Sequence, residues 1–572
     1  MSLGGALAAE GSRASGDKAT SLLDQAVQVY RSTLEVYSKA DAPKSWAGTQ
    51  LSIGAALATE AGRAGGEKGA ALLDQAAQAY RSALEVDNKA DEPKSWAWTQ
   101  NALGNVLVAE AARGGGDKAA ALLDQAAQAY RSVLEVYNKA DEPLGWAATQ
   151  VNLGIALDRE AAQASGDNAT ALLDQAAQAF RNVLEAITKA DEPKGWAGIQ
   201  VLLGNALVDA GNRTSADKAP ALFDQGAQAY QNALEVFTRN DEPKGWANAQ
   251  MNLGVAFERE ASQASGVRAT ALLDKAAQAY RNALEVDTEA AEPTVWAWAE
   301  FALGRALATE GRLTGGDKAI ALLDEAVQSY QNALQVQTKA DWPKDWANTQ
   351  ASLGFVLDVE GERASGDRAL ALFSQAMTAY QNALEVRTKA DLPQAWAATQ
   401  LVLGGVLQDE AGRSSGAEAV ALFNQSSQAY QNALEVFTKV NFSQSWAGAH
   451  MGLALISLDT SGFDACREQF GQISDDLLPP RVTLQKDALR FLCEWGAGNK
   501  SAARETEKNL ISKVADVDPD YWDTTATVSM LSNSPAFATD RASWMAFFNS
   551  FHNGDSAGMT AALHQLEPLL QQ

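Results

Sequence analysis

Cysteine and histidine are the residues of this chain best suited to nucleophilic catalysis. Cys466 stands in the segment Asp-Ala-Cys-Arg, and the histidines are His450, His552 and His564. A thiol becomes a nucleophile when a histidine takes its proton. No histidine lies at a suitable distance upstream of Cys466, and the glycine that completes a nucleophile loop is absent. The pattern therefore predicts that Cys466 is an ordinary residue of a helix.

Acidic residues near the C-terminus have a spacing that could bind a metal ion. Asp516, Asp518 and Asp520 are spaced as in a calcium loop, but Tyr521 stands where such a loop needs glycine and Thr527 where it needs glutamate. We expect a solvated helix N-terminus there and no metal site.

Glycine-rich loops such as Gly115–Lys118 recur along the chain, each ahead of a helical segment. A phosphate-binding loop would continue with Gly-Lys-Ser/Thr, which is absent, and an aspartate at the helix start would repel an anion. These loops are predicted to be turns. The sequence thus predicts a protein that is not an enzyme and that needs no cofactor.

Composition and charge restrict the class of partner. The chain has 572 residues and a net charge of −25, from 71 acidic and 46 basic residues. Nucleic acid and anionic membranes bind to basic surfaces, so both are excluded as main partners. A protein or peptide that is basic or largely apolar fits this surface better.

The two cysteines, Cys466 and Cys493, lie in the last quarter of the chain. A repeat array without cysteine is not a disulfide framework, which favours a reducing cytoplasm. No apolar run has the length of a membrane span, and the N-terminus lacks the features of a secretory signal.

A period of fifty residues runs from residue 1 to about residue 450 and gives nine copies. Leu34 and Gly4 have an identical equivalent in every copy, and Tyr30 has one in every copy except that of Phe180. A fixed period of this kind predicts an array of like structural units.

The first half of a copy has helical periodicity. Trp96, Gln100, Leu103, Gly104 and Leu107 fall on one side of a helical wheel and form a buried stripe. Gly104 is expected to let a neighbouring helix approach closely. Gln100 is polar and is expected to hydrogen-bond between adjacent repeats.

A second helix follows in the same copy. Asp91 and Pro93 mark the start of the first helix, and Asp117 is predicted to be the N-cap of the second. Each copy is therefore predicted to be two long antiparallel helices. The apolar stripe of the second helix consists of Leu122, Leu123, Ala126, Tyr130, Val133 and Leu134.

This pattern resembles the tetratricopeptide repeat, which pairs Leu-Gly on its first helix with alanine and an aromatic residue on its second, followed by proline. Here these are Leu103, Gly104, Ala126, Tyr130 and Pro143. The period is longer than in the family, as in the long-repeat variety of bacterial scaffold and sensor proteins. The resemblance implies an all-α, right-handed superhelical solenoid of antiparallel helix pairs.

The resemblance further implies a concave groove that is lined by the first helices and holds a protein or peptide segment. The lysines that clamp a C-terminal carboxylate in peptide binders of the family do not recur here, so no such clamp is predicted. Met251 and Phe355 are expected to enlarge the groove face. The residues expected to contact a partner are Trp98, Asn101, Asn105, Asn152, Asn205, Asn248, Asn252, Trp298, Phe301 and Asn348.

Packing and solvation offer alternative explanations of these residues. Each aromatic side chain could pack against its neighbouring repeat, and the asparagines could be ordinary polar lining. Trp98 and Trp298 are selected because they depart from the small residues at the same position of most other copies.

The two ends of the chain depart from the template. Ser443 replaces the proline, and residues 451–572 are predicted to form an atypical helical C-terminal cap after the nine repeats of residues 1–450. Two hairpins are expected there, at about 484–514 and about 535–570. Residue 1 lies halfway through a first helix, which leads us to expect missing upstream sequence or an open end that docks.

The sequence thus predicts a non-catalytic scaffold for protein–protein interaction that uses its concave groove. Two alternatives stay open. The chain could be the sensor part of a larger bacterial effector whose catalytic domain lies elsewhere, or a protein that self-associates head to tail through its uncapped N-terminal end.

Overall fold

The computed structural model describes residues 3–460, 462–478, 480–516, 531, 537–538, 541–552 and 555–570. Over these ranges the chain is helical without a strand, which confirms the prediction of an all-α fold. The chain forms two compact units, Met1–Glu292 and Pro293–Gln572, here called unit 1 and unit 2. The division at residue 450 that the sequence pattern suggests stays a prediction.

Unit 1 is a succession of helix pairs. Within a pair the two helices pack along each other, and the second helix packs against the first helix of the next pair. The first helices are α1 Leu3–Arg13, α3 Pro43–Ala61, α5 Pro93–Ala111, α7 Pro143–Gln163, α9 Pro193–Arg213 and α11 Pro243–Ser262. The second helices are α2 Gly16–Val36, α4 Gly66–Leu84, α6 Gly116–Leu134, α8 Gly166–Leu184, α10 Ala219–Leu234 and α12 Gly266–Leu284.

Unit 2 continues the same pattern and ends in shorter helices. Its first helices are α13 Pro293–Leu313, α15 Pro343–Arg363, α17 Pro393–Arg413 and α19 Ser443–Asp459. Its second helices are α14 Gly316–Val336, α16 Gly366–Leu384, α18 Gly416–Leu434 and α20 Phe463–Gln472. A 3₁₀ turn at Asp475–Leu477 precedes α21 Pro480–Gly496, α22 Lys500–Asp516, α23 Arg541–His552 and α24 Ser556–Leu570.

The helix boundaries follow from proline and glycine. Helix α5 begins at Pro93, as predicted, because proline has no N–H and the first turn leaves that donor unused. The prediction that Asp117 is an N-cap is wrong. Helix α6 begins at Gly116, whose φ of +62° closes the loop at no steric cost, and Asp117 lies within the first turn.

One copy tests this explanation within the chain itself. Ala216 stands where the other copies have a glycine of positive φ, and α10 begins only at Ala219. A residue with a Cβ rarely takes the left-handed conformation. The later start of α10 is therefore explained by the missing glycine together with Pro220, which has no N–H for a second turn and lies in the first turn of α10.

The two helices of a pair make contact through glycine and an aromatic ring. Gly104 on α5 faces Tyr130 on α6, and a Cβ at Gly104 would lie 2.6 Å from the Cε1 atom of that ring. Leu107 and Tyr130 are each 1% exposed. The helix pairs thus resemble tetratricopeptide repeats, and the prediction that the repeated glycine permits close approach is confirmed.

The glutamine that recurs in the first helices bonds within its own pair in two copies of unit 2. Asn432 on α18 donates to Gln400 Oε1 on α17 at 3.3 Å, and Asn382 on α16 donates to Gln350 on α15 at 3.4 Å. The bond between repeats that was expected for Gln100 stays a prediction. Each of these half-buried amides is satisfied by the partner helix of its own hairpin.

Successive pairs of unit 1 are joined by polar contacts that recur. Lys39 forms an ion pair with Glu85 and lies 5.5 Å from the ring centroid of Trp46. Lys44 contacts Glu92 at 2.5 Å. Single exposed ion pairs contribute little, so their regular recurrence matters for the register of the pairs more than for stability.

The C-terminal helices confirm the two predicted hairpins in the residues that the structure describes. Helix α21 packs on α22, and α23 packs on α24. Trp544 is fully buried among aromatic rings, with the Phe491 centroid 4.9 Å away. Asp518, Asp520, Tyr521 and Thr527, which we considered as part of a calcium loop, lie outside the described residues.

Among the helices that the structure describes, not one combines the length and the apolarity that crossing a bilayer requires.

Candidate functional site

The two predicted tryptophans lie exposed on first helices. Trp98 on α5 is 49% exposed, and its ring meets that of Tyr80 edge-on at 6.4 Å. Trp298 on α13 is 45% exposed. Met251 is 4% exposed, so the expectation that it enlarges the groove face is wrong, whereas Phe355 is 39% exposed.

Asparagines near the middle of unit 1 connect successive first helices. Tyr130 donates to Asn105 Oδ1 at 2.7 Å. Asn152 on α7 donates to Asn101 at 3.3 Å and to Asn105 at 3.2 Å. These amides therefore hold α5 and α7 together, and a contact with a partner stays a prediction for them.

A second set of asparagines repeats this arrangement between α9 and α11. Tyr230 donates to Asn205 Oδ1 at 2.8 Å, and Asn252 donates to the same oxygen at 3.2 Å. Asn252 also donates to Asn248 at 3.1 Å. The recurrence indicates a structural use of this polar lining.

A cavity of about 220 Å³ opens between α13 and α15 in unit 2. It brings together three of the predicted residues, Trp298, Phe301 and Asn348. Trp342 and Asp345 line it as well. The seven other predicted residues belong to unit 1 and are not part of this cavity.

The cavity lies where an ion pair between repeats has been replaced. In unit 1, Lys44 contacts Glu92, and Lys244 contacts Glu292 at 2.6 Å. The equivalent residues in unit 2 are Thr294 and Trp342, and both line the cavity. Loss of the pair removes the polar bridge, and an indole that is 41% exposed takes the place of a carboxylate.

Hydrogen bonds and ring contacts fix the walls of the cavity. Thr349 donates to Gln337 Oε1 at 2.5 Å, which ties α15 to the end of α14. Phe301 packs against Tyr330, with centroids 5.7 Å apart. Arg387 donates to Asn348 Oδ1 at 2.8 Å and thereby orients that amide.

Aromatic faces and a carboxylate give this cavity a definite chemistry. Among its lining residues, Asp345 is the charged one, and it is exposed. Trp298 and Trp342 offer indole rings, and the guanidinium of Arg305 already lies 5.8 Å from the Phe301 centroid. Aromatic rings attract cations through their negative faces, and a nearby carboxylate adds to that attraction.

Trp342 and Asp345 were missed by the sequence analysis although a signal for them exists. The segment Asp-Trp-Pro at Trp342 departs from the Asp-Glu-Pro of four other copies, which is the same kind of departure that singles out Trp298. Asp345 carries a weaker signal, because small residues fill this position in most other copies.

The catalytic candidates are occupied in other ways. Cys466 lies in α20, as predicted, and is joined to Cys493 in a disulfide, so it has no free thiol. The Nδ1 atom of His450 is 2.6 Å from Gln469 Oε1, and His564 lies 3.6 Å from Glu567.

No family model matches the chain, and no curated protein matches it either. Solved structures similar to it include the apo form of RapI, at 12% identity over 74% of this chain and 98% of that one, with a TM-score of 0.42. The C-terminal part of a TPR repeat-containing protein from Cytophaga hutchinsonii is 14% identical over 55% of this chain and 93% of its own, with a TM-score of 0.33. Yeast Tom70 is 15% identical over 86% and 95%, with a TM-score of 0.27.

Proposed function

We propose that this protein is a non-catalytic scaffold that binds a peptide segment of a protein partner through the first helices of unit 2. The partner segment carries an arginine or lysine side chain that enters the cavity between α13 and α15. The observation that carries the proposal is the replacement of a recurring Lys–Glu pair by Thr294 and Trp342 at the place where the cavity opens.

Charge and shape both support a basic segment. The chain has a net charge of −25, which raises the local concentration of basic partners. Within the cavity, a cation would lie between the indoles of Trp298 and Trp342 and close to the carboxylate of Asp345. A cation–π contact contributes about 0.5–1 kcal/mol at an exposed site and about 2 kcal/mol when it is desolvated.

Selection from displayed random decapeptides on the immobilised intact chain tests this proposal. We expect the enriched sequences to share a lysine or arginine. Because a central aromatic residue typically accounts for about 2 kcal/mol or more of binding free energy, Trp298→Ala should weaken the best peptide by roughly thirtyfold. Asp345→Asn should reduce the preference for basic over neutral side chains.

Trp98→Ala is the matched control, since Trp98 occupies the same repeat position and is exposed to a similar degree but lies outside the cavity. Enriched peptides that bind the Trp298→Ala and Trp98→Ala variants equally well would place the binding surface elsewhere. Enrichment of acidic peptides would contradict the proposed chemistry.

The compartment is part of the same proposal. The absence of cysteine from the repeats favours a reducing cytoplasm, whereas a disulfide between Cys466 and Cys493 is typical of an oxidising one. We keep the cytoplasm as the proposed location. Alkylation of the protein at lysis, followed by mass measurement, tests this location: two modified thiols would mean that the bond is reduced in the cell and support the cytoplasm, and an unmodified pair would contradict it.

A further inference from the structure

Three carboxylates converge on the first helices of unit 2, away from the aromatic cavity. Asp358 and Glu362 belong to α15, and Asp409 belongs to α17. One oxygen of each lies within 4.8 Å of the others. Arg413 is close enough to lower the pKa of Asp358 but does not outweigh the acidic groups.

Two oxygens in this region are buried without a hydrogen-bond partner. One is Oδ1 of Asp358, and the other is the hydroxyl of Tyr380, a residue only 2% exposed. Water or an ion would satisfy both oxygens, and buried polar groups are nearly always hydrogen-bonded. Two such oxygens beside three carboxylates therefore favour a bound ion at this place.

Neighbouring copies show where the hydroxyl of Tyr380 is directed. Tyr280 donates to Glu258 at 2.5 Å, and Tyr430 donates to Gln408 at 3.2 Å. In each case the acceptor stands at the repeat position that Asp358 occupies in its own copy. The Tyr380 hydroxyl is therefore aimed at the carboxylate cluster, although it makes no hydrogen bond there.

We propose that Asp358, Glu362 and Asp409 form a binding site for a hard divalent cation of the size of Ca²⁺, which joins α15 to α17. Oxygen ligands of Ca²⁺ lie at about 2.3–2.6 Å, so ligands on opposite sides of the ion are about 5 Å apart. Oxygens that lie within 4.8 Å of one another can therefore share one ion. A water ligand of the ion would donate a hydrogen bond to the Tyr380 hydroxyl oxygen.

Calcium suits this donor set better than other metal ions. All three donors are carboxylates, and softer metals such as Zn²⁺ prefer sites with histidine or cysteine. Mg²⁺ needs near-ideal octahedral geometry and keeps most of its water, whereas Ca²⁺ accepts irregular oxygen sites. A surface site with three carboxylates and no enclosing loop would bind Ca²⁺ with a Kd on the order of 10⁻⁴ M.

A related position in unit 1 provides a comparison within the same chain. Asp158 and Asp209 stand at the positions of Asp358 and Asp409, but Ala162 replaces the third carboxylate and Phe180 replaces the tyrosine. Oδ1 of Asp158 is also buried without a partner, and burial raises the pKa of this residue to about 6. With two carboxylates instead of three, this pair should bind Ca²⁺ much more weakly.

Titration calorimetry of the full chain with CaCl₂ alone, after removal of metal by a chelator, tests the site. We expect one ion per chain at pH 8, and at least a tenfold loss of affinity in Asp358→Asn and in Glu362→Gln. Asp358→Asn removes a buried charge, so this variant should fold at least as well as the parent, and circular dichroism checks that. Asp158→Asn is the control that should leave binding unchanged.

Each outcome of this titration either supports or overturns the Ca²⁺ site. Binding of Ca²⁺ that is lost in Asp358→Asn supports the site. No heat with CaCl₂ overturns it, as does binding that survives in both Asp358→Asn and Glu362→Gln. A response to MgCl₂ in the absence of any response to CaCl₂ would overturn the choice of ion.

Discussion

Glycine to alanine substitutions at two positions of the first helices should change stability in opposite directions. Gly104 on α5 faces Tyr130, whereas Gly48 on α3 has no atom within 4 Å of the position that a Cβ would occupy. Both glycines lie in helix interiors, where alanine is favoured by about 1 kcal/mol. Any difference between the two variants therefore reports on packing.

The magnitude follows from the contacts. A Cβ at Gly104 would lie 2.6 Å from Cε1 and 2.8 Å from Cζ of Tyr130, which is 1% exposed and cannot move outward freely. Overpacking of this kind costs about 1–3 kcal/mol. A shift of the ring also weakens the hydrogen bond from Tyr130 to Asn105, which contributes about 1 kcal/mol.

We therefore expect Gly104→Ala to destabilise the chain by about 1–3 kcal/mol and Gly48→Ala to stabilise it by about 1 kcal/mol. Thermal unfolding followed by circular dichroism gives the order of the variants. Amide hydrogen exchange in α5 and α6 localises the effect, because long repeat arrays need not unfold in two states. A Gly104→Ala variant at least as stable as Gly48→Ala would refute the role assigned to the glycine.

Three further predictions concern unit 2. Since the pKa of Asp358 is raised from 3.8 to about 8, the folded state holds a proton that the unfolded state releases, so stability falls as pH rises from about 4 to about 8. Asp358→Asn should flatten that dependence of the thermal midpoint and stabilise the chain by at least about 1 kcal/mol at pH 8, and an unchanged pH profile would contradict the assignment. The bond between Cys466 and Cys493 closes a loop with a sequence separation of 27. Its reduction should lower the free energy of unfolding by about 3–4 kcal/mol, measured by denaturant titration with and without dithiothreitol. Equal midpoints would exclude this contribution. The double variant Thr294→Lys/Trp342→Glu should introduce the pair that four other junctions have and close the cavity, seen as a higher midpoint and loss of peptide binding. Retained binding would show that the cavity is not used.

The sequence predicts the helices well because every copy carries the same signals. Pro93 begins a helix for a local reason, and Gly104 and Tyr130 lie on stripes that a helical wheel displays directly. Because the copies repeat every fifty residues, each of these signals occurs many times in the chain. The position of Asp117 was misjudged because the backbone conformation of Gly116, and not a side-chain cap, determines where the helix begins.

Contacts between copies could not be predicted in the same way. Asn152 bonds to Asn101 and Asn105, and Asp358 meets Asp409, only because of the register of adjacent first helices. A helical wheel gives the direction of a side chain around its own axis but not the residue opposite it on the next helix. The buried carboxylates were missed for that reason.

Departures from the template were the useful guide to the cavity. Trp298, Phe301 and Asn348 were selected from the sequence and lie together. Trp342 precedes α15, so a helical wheel of the first helices does not include it. Comparison of every position with its equivalents, loops included, would have found it.

The most direct test of the proposed function is a nuclear magnetic resonance titration that observes the tryptophan indole N–H groups of the intact chain. The probes are N-acetyl-arginine amide and its neutral analogue N-acetyl-citrulline amide. We predict that the arginine probe shifts the signals of Trp298 and Trp342 but not that of Trp98, and that citrulline has a clearly smaller effect. Equal shifts at Trp98, or equal responses to both probes, would contradict a cation-binding cavity in unit 2.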